Sequence, residues 1–289
     1  FGKEVLRNGN FNQKMAHWTT LCTEVEAGGP ETTYGGTRSA NAVGEIDEFT
    51  CFYQDVCILP GVEYEFSMVA SRRTAAPTPA VVSIKLRIEG LDLAGNVLAT
   101  YVNMDIDRSN TTFALTPVTG IPRFRPLSGS GVVKVRVSMT PLFSGSLGMV
   151  IDDLSLKEVD ALSVVGSDTL CREVPGSFQV SNGPAAGVSY QWNFGSGATP
   201  PTSTDPNPMV SWSTSGSRVV TCILNTGCRA DTVLFDVVVL TGLNTVQELS
   251  ICPGSPISLK ASTALQQWSV LPGGAPLSSL SCTACQEPV

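Results

Sequence analysis

One histidine, His17, is all that the 289 residues offer to a charge-relay scheme of the Ser-His-Asp or Cys-His kind. It stands beside Trp18 in an opening loop, outside any sequence that marks a cleft, and reads as a capping or surface side chain. Hydrolysis of a glycosidic bond would instead use two carboxylates at a set separation. Glu45, Asp47, Glu48, Asp105 and Asp107 are on hand, yet their spacing selects no pair, and acid-rich loops are usually solvated. The residue set therefore points away from an enzyme. Cys282-Thr283-Ala284-Cys285 has the spacing of half a zinc site or of a redox pair. With no second such pair and His17 far off in sequence, a local Cys282–Cys285 disulfide is the simpler reading.

Non-covalent recognition asks for less. Sugar binding needs aromatic faces in a groove, with amides and carboxylates beside them to pair with hydroxyls. If Phe52, Gln54 and Val56 point inward on a strand, Tyr53 and Asp55 point outward, and Tyr101 with Asn103 makes a second such couple. These four are the candidate ligand-binding residues. The competing reading is that each tyrosine is half-buried packing, since aromatics are only 7% of the chain.

Those couples require strands. Ile84, Leu86 and Ile88 alternate with Lys85, Arg87 and Glu89, and Val133, Val135, Val137 and Met139 alternate with Lys134, Arg136 and Ser138. Further strands are predicted near 52–58, 64–70, 98–104 and 149–156, with turns at Pro60-Gly61 and Gly95-Asn96. About eight strands in residues 1–160 fit a jelly roll. A short boundary follows, with no long linker. Residues 162–241 then read as a compact immunoglobulin-like sandwich, in which Trp192 and Phe194 lead into a glycine-framed turn and a later strand carries Val220, Cys222 and Leu224 inward. Residues 243–289 restart the pattern, Ile251-Cys252-Pro253-Gly254 answering Leu170-Cys171 and Pro175-Gly176, with Trp268 in the place of Trp192. So short a segment cannot close a third sandwich, and the chain is expected to continue into downstream repeats. The fold class is all-β: a jelly roll, an immunoglobulin-like sandwich and the start of a third β domain.

Composition agrees. Charged residues are 15% of the chain against about a quarter in an average domain. A net charge of -7 with 18 Lys and Arg leaves no basic patch for phosphate backbones, which argues against nucleic acid as a partner. No apolar run reaches the ~18 residues of a membrane helix, so the chain is not expected to span a membrane. Its opening Phe1-Gly2-Lys3-Glu4 carries no export leader, as in a mature product or an excised piece. Nine cysteines point to an oxidising, extracellular compartment.

Two families are matched by motif. Trp192-Asn193-Phe194-Gly195-Ser196-Gly197, with Pro208, Trp212, Gly216 and a Val-rich strand after it, resembles the polycystic-kidney-disease (PKD) domain. Asn193 and Ser196 replace two acids of that family's signature, which weakens any charged or ion-binding turn. Val5-Leu6-Arg7-Asn8-Gly9-Asn10-Phe11, Phe52-Tyr53-Gln54-Asp55-Val56 before Pro60-Gly61, and the closing Ile151-Asp152-Asp153-Leu154-Ser155-Leu156 resemble the jelly-roll carbohydrate-binding modules. That resemblance implies a structural calcium where the first and last strands meet, held by backbone carbonyls, by Asp152 and by the residue after the opening Phe, here Asn12 in place of an acid. The series of modules resembles the large multidomain surface adhesins of gliding, Bacteroidota-type bacteria, exported by the type IX secretion route. By that resemblance the protein is a non-enzymatic adhesin segment at the bacterial cell surface, with the jelly roll as tip, the sandwiches as stalk, and surface glycans or proteins as partners. An accessory, glycan-targeting region of a larger hydrolase or peptidase, and a purely structural filament component, stay open beside it.

The cysteines follow from both kinds of argument. Strand-edge cysteines clamp relatives of the PKD-like fold, which implies a Cys171–Cys228 bridge. Cys51 and Cys57 sit on one strand about 20 Å apart at ~3.3 Å per residue, too far to join, so Cys22 must serve one of them. Cys22 with Cys51 is favoured, leaving Cys57 free.

Overall fold

A computed structural model of the chain describes residues 2–20, 22, 27–36, 42–73, 82–109, 114–142 and 148–240. Ten strands build the first unit: β1 (Thr19–Thr20), β2 (Ala27–Pro30), β3 (Ala42–Ile46), β4 (Phe52–Cys57), β5 (Tyr64–Arg72), β6 (Ser83–Leu91), β7 (Val97–Asp107), β8 (Thr116–Pro117), β9 (Lys134–Pro141) and β10 (Met149–Glu158). They lie in two five-stranded sheets, ordered β1-β4-β9-β6-β7 and β2-β3-β10-β5-β8. The facing sides of the sheets carry the alternate apolar residues: Phe52 and Val56 on β4, Leu86 and Ile88 on β6, Val135 and Val137 on β9, Tyr64, Phe66 and Met68 on β5. Burying one face of each antiparallel sheet is what strict alternation encodes. One break in the pattern has a local cause. A bulge between Asp152 and Ser155 shifts the phase of β10, so that Ile151 before it and Leu154 and Leu156 after it all reach the core.

The opening motif plugs one end of the sandwich. Phe11 is fully buried, stacks on Trp18 at 5.8 Å and meets Phe52 edge-on at 5.9 Å. Asn8 organises the loop that delivers it: its side-chain amide donates to the carbonyls of Lys14 and Ala16, its Oδ1 accepts from the Gln13 amide, and its backbone oxygen accepts from the Trp18 indole. Gln54 ties the same segment to β4 by exchanging two hydrogen bonds with the Arg7 backbone, at 2.8 and 2.9 Å.

The second unit comprises β11 (Ser163–Gly166), β12 (Thr169–Cys171), β13 (Gly176–Ser181), β14 (Ser189–Asn193), β15 (Ala198–Thr199), β16 (Thr202–Ser203), β17 (Met209–Trp212), β18 (Gly216–Asn225) and β19 (Ala230–Leu240). Its sheets run β11-β13-β17-β15 and β12-β19-β18-β14-β16. Trp192, Phe194, Trp212 and Phe178 fill the space between them, with both indole nitrogens satisfied by backbone oxygens of Asp205 and Phe194. Asn193, where the PKD signature has an acid, caps the turn through its Oδ1 and the Gly195 amide. Cys222 lies in this core as a free thiol, pushed up to about 12 by burial. The fold is all-β, as the alternation predicts.

One expected bridge forms and one does not. Cys22 pairs with Cys51, at a Cα separation of 5.2 Å. Cys228 does not pair with Cys171; it pairs with Cys57 of the first unit, at 5.6 Å. The reason lies in β19. Cys171 aligns with Leu240 at the far end of that strand, while Cys228 precedes Ala230 at its near end, a distance of about 30 Å along an extended strand. Cys171 is left exposed and free, and Cys57 is not free. Cys282, Cys285 and the whole of 243–289 lie outside the described residues.

Around the inter-unit disulfide the two sandwiches meet closely. The turn Asn225-Thr226-Gly227 is closed by the Asn225 and Thr226 side chains, which accept from the amides of Gly227, Cys228 and Arg229. It presents Arg229 to the first unit, where the guanidinium pairs with the buried Glu158; Arg229 also pairs with Asp231, which in turn binds Lys3. Burial alone would raise the Asp231 carboxyl, but hydrogen bonds from Arg229 and Lys3 outweigh it and hold the group below the usual range. Nearby Tyr64, whose hydroxyl donates to and accepts from Leu59, is pushed well above its ordinary value by burial and then by the Glu158 charge.

Candidate functional site

The outer face of β1-β4-β9-β6-β7 carries most of the polar residues singled out above. Antiparallel register sets them in rows: Thr19, Tyr53, Ser138, Arg87 and Asn103 form one, and Asp55, Arg136 and Glu89 the next. Lys85 lies beyond, paired with Asp105. Inward partners in the core hold each strand flat beneath this surface, so the outward side chains stand at fixed cross-strand spacing.

Tyr53, Arg136 and Asp55 act as a unit. The Arg136 guanidinium makes a bidentate pair with Asp55, at 2.7 and 2.8 Å, and lies 4.2 Å from the centre of the Tyr53 ring. The hydrogen bond to Asp55 raises Arg136 above its already high ordinary value. An aromatic ring, a carboxylate and a guanidinium are thereby locked at the surface before any ligand arrives, which lowers the ordering cost of binding. Arg87 is exposed and makes no hydrogen bond or ion pair among the described residues.

The four sequence candidates divide. Tyr53, Asp55 and Asn103 share this face. Tyr101 leaves it, because a register shift between Ile88 and Glu89 makes it the extra residue of β7 and turns it to the core edge. There it stacks on Phe124 at 4.9 Å and 14°, and burial raises its hydroxyl. Arg136, Arg87, Ser138 and Glu89 were not among the candidates. Their outward phase is plain in the alternation, but which of them meets Tyr53 or Asp55 depends on strand order.

The two calcium candidates do not gather a cage. Asp152 is fully buried and its Oδ1 accepts from the Asp153 amide at 2.8 Å, where Asp153 takes a left-handed backbone with φ 51°. Asn12 is exposed in the opening turn. Among the described residues no three His, Cys, Asp or Glu side chains come together for an ion. One carboxylate and one amide would leave most of the six to eight oxygens that calcium takes to backbone carbonyls.

His17 is placed differently from expectation. It borders a cleft of about 530 Å³ at the junction of the two units, with Arg7, Asp55 and Arg229 also on its walls. The cysteines there, Cys57 and Cys228, are joined to each other.

No protein-family model matches the chain, and no curated protein does. Solved structures are similar to it. The CBM22-1 xylan-binding domain of Paenibacillus barcinonensis Xyn10C is 11% identical, with a TM-score of 0.38 over 55% of this chain and 97% of that one. The CBM22-1-CBM22-2 tandem domain of the same protein is 11% identical, with a TM-score of 0.40 over 83% and 86%. The CBM22-1-GH10 modules of Clostridium thermocellum Xyn10B, complexed with xylohexaose, are 14% identical at a TM-score of 0.36; the chain covers 28% of their length.

Proposed function

We propose that the first unit is a glycan-binding module whose binding surface is the outer face of β1-β4-β9-β6-β7. The observation that carries this is the Tyr53-Arg136-Asp55 unit standing beside the unpartnered Arg87 and Asn103. A sugar ring packs its apolar face on an aromatic side chain while its hydroxyls bridge carboxylate, amide and guanidinium, and all four groups are here on one rigid surface. The second unit serves as a rigid stem, fastened to the first by the Cys57–Cys228 bridge. Two disulfides suit secretion and exposure at a cell surface. In that setting the chain acts as a segment of an adhesin; the competing reading is an accessory, glycan-targeting region of a secreted hydrolase or peptidase.

A glycan array followed by calorimetry on positive sugars tests the proposal, with xylohexaose as the first soluble probe. Tyr53→Ala, Arg87→Ala and Asn103→Ala are each expected to weaken binding about tenfold, ~1.4 kcal/mol, with little change in melting temperature. Silence across every sugar would discard the module's lectin-like role and leave a structural stem.

A further inference from the structure

The cleft at the junction of the two units is built, not incidental. The opening segment and β4 form one wall and the Cys228-Arg229 turn forms the other, and the Cys57–Cys228 bridge sets the distance between them. Nearly every charged group on these walls is already engaged. The Glu4 carboxylate accepts from the amides of Val5, Leu6 and Leu156 and from the Ser155 hydroxyl. Lys3 is paired with Asp231, Arg229 with Glu158 and Asp231, and Asp55 with Arg136. Arg7 and His17 remain. Both are exposed, and neither side chain has a partner among the described residues. The Arg7 backbone, by contrast, is clamped by Gln54, so the guanidinium is carried at a fixed point of the rim.

We infer that this cleft is a subsite for the acidic group of a saccharide bearing a uronic acid. The inference rests on the glycan-binding face proposed above and extends it, since Asp55 belongs both to that face and to the cleft wall. An uncompensated guanidinium selects a planar carboxylate, which it can meet with two parallel hydrogen bonds. Val5, Leu6 and Val56 supply the apolar floor on which a sugar ring rests. The second unit is then more than a stem, because it closes the site.

Calorimetry with the whole chain tests this, using xylohexaose and a xylo-oligosaccharide of equal length carrying one glucuronic acid branch. The acidic sugar is expected to bind about tenfold more tightly at low salt, with the advantage shrinking as salt is raised. Arg7→Ala should abolish that advantage and leave the affinity for the neutral sugar unchanged, and Arg7→Lys should keep part of it. Replacing Cys57 and Cys228 together by Ser should also reduce the preference while neutral binding persists. Equal affinity of the native chain for the two sugars overturns the subsite alone. So does a preference that survives Arg7→Ala or depends on Arg87 instead. Failure of both sugars and of the array overturns the glycan-binding face itself, and the subsite with it.

Discussion

Asp152 has a structural part in its motif whether or not it also ligates a cation. Its Oδ1 accepts from the amide of Asp153, whose φ of 51° lies in the left-handed region that few residues other than Gly, Asn and Asp adopt readily. The carboxylate thus pins the bulge that shifts the phase of β10 and brings Leu154 and Leu156 to the core. Asp152→Ala is expected to cost about 1–3 kcal/mol by removing the acceptor of a partly buried amide, and to lower the melting temperature in EDTA as well as in calcium. A loss confined to calcium buffer would show that the metal cage implied by the motif is real. The Tyr53-Arg136-Asp55 unit is the opposite case, since its members are partly exposed on the outer face and engage one another rather than the core.

At the scale of elements, the opening segment acts as a plug whose fit depends on one glycine. A Cβ at Gly44 of β3 would come within 2.5 Å of the Phe11 ring, which is itself boxed between Trp18 and Phe52. Gly44→Ala should therefore destabilise the first unit by about 1–3 kcal/mol, read as a lower urea midpoint with an unchanged slope. The same crowding accounts for the Asn8-Gly9 pair: a Cβ on Gly9 would lie 1.8 Å from the Leu154 carbonyl, whose amide donates to the Gly9 oxygen. The opening segment of the resemblance to carbohydrate-binding modules thus builds the end of the sandwich. The β4 segment of that resemblance, with β6 and β9, also sets out the polar rows, and the β7 bulge withdraws Tyr101 from those rows.

Across the whole molecule the decisive feature is the joint. A disulfide spanning 171 residues of sequence closes over a buried group in which Glu158 of one sandwich meets Arg229 of the other. Arg229→Met leaves a buried carboxylate without its cation and is expected to cost about 3–5 kcal/mol, whereas Lys3→Ala, at an exposed position, should cost under about 1 kcal/mol. Reduction of the bridge should leave both sandwiches folded, because each has its own apolar cluster, yet split a single thermal transition into two. One transition after reduction would mean that the joint holds without its sulfur link. Among the described residues no helix is long and apolar enough to cross a membrane.

Strand alternation by itself determined the fold class, the outward phase of Tyr53, Asp55 and Asn103, and the inward phase of Trp192, Phe194 and Cys222, because a side chain's face follows from counting by two along the chain. The Cys22–Cys51 bridge was also within reach, since strand rise alone excludes a Cys51–Cys57 pair. What alternation cannot contain is strand order. Which arginine lies against Tyr53, which end of β19 holds Cys228, and where a bulge turns Tyr101 aside all depend on pairings between residues far apart in sequence. The Cys57–Cys228 bridge and the cleft beside it lie beyond alternation for the same reason: they are formed between the two sandwiches, by residues far apart in sequence.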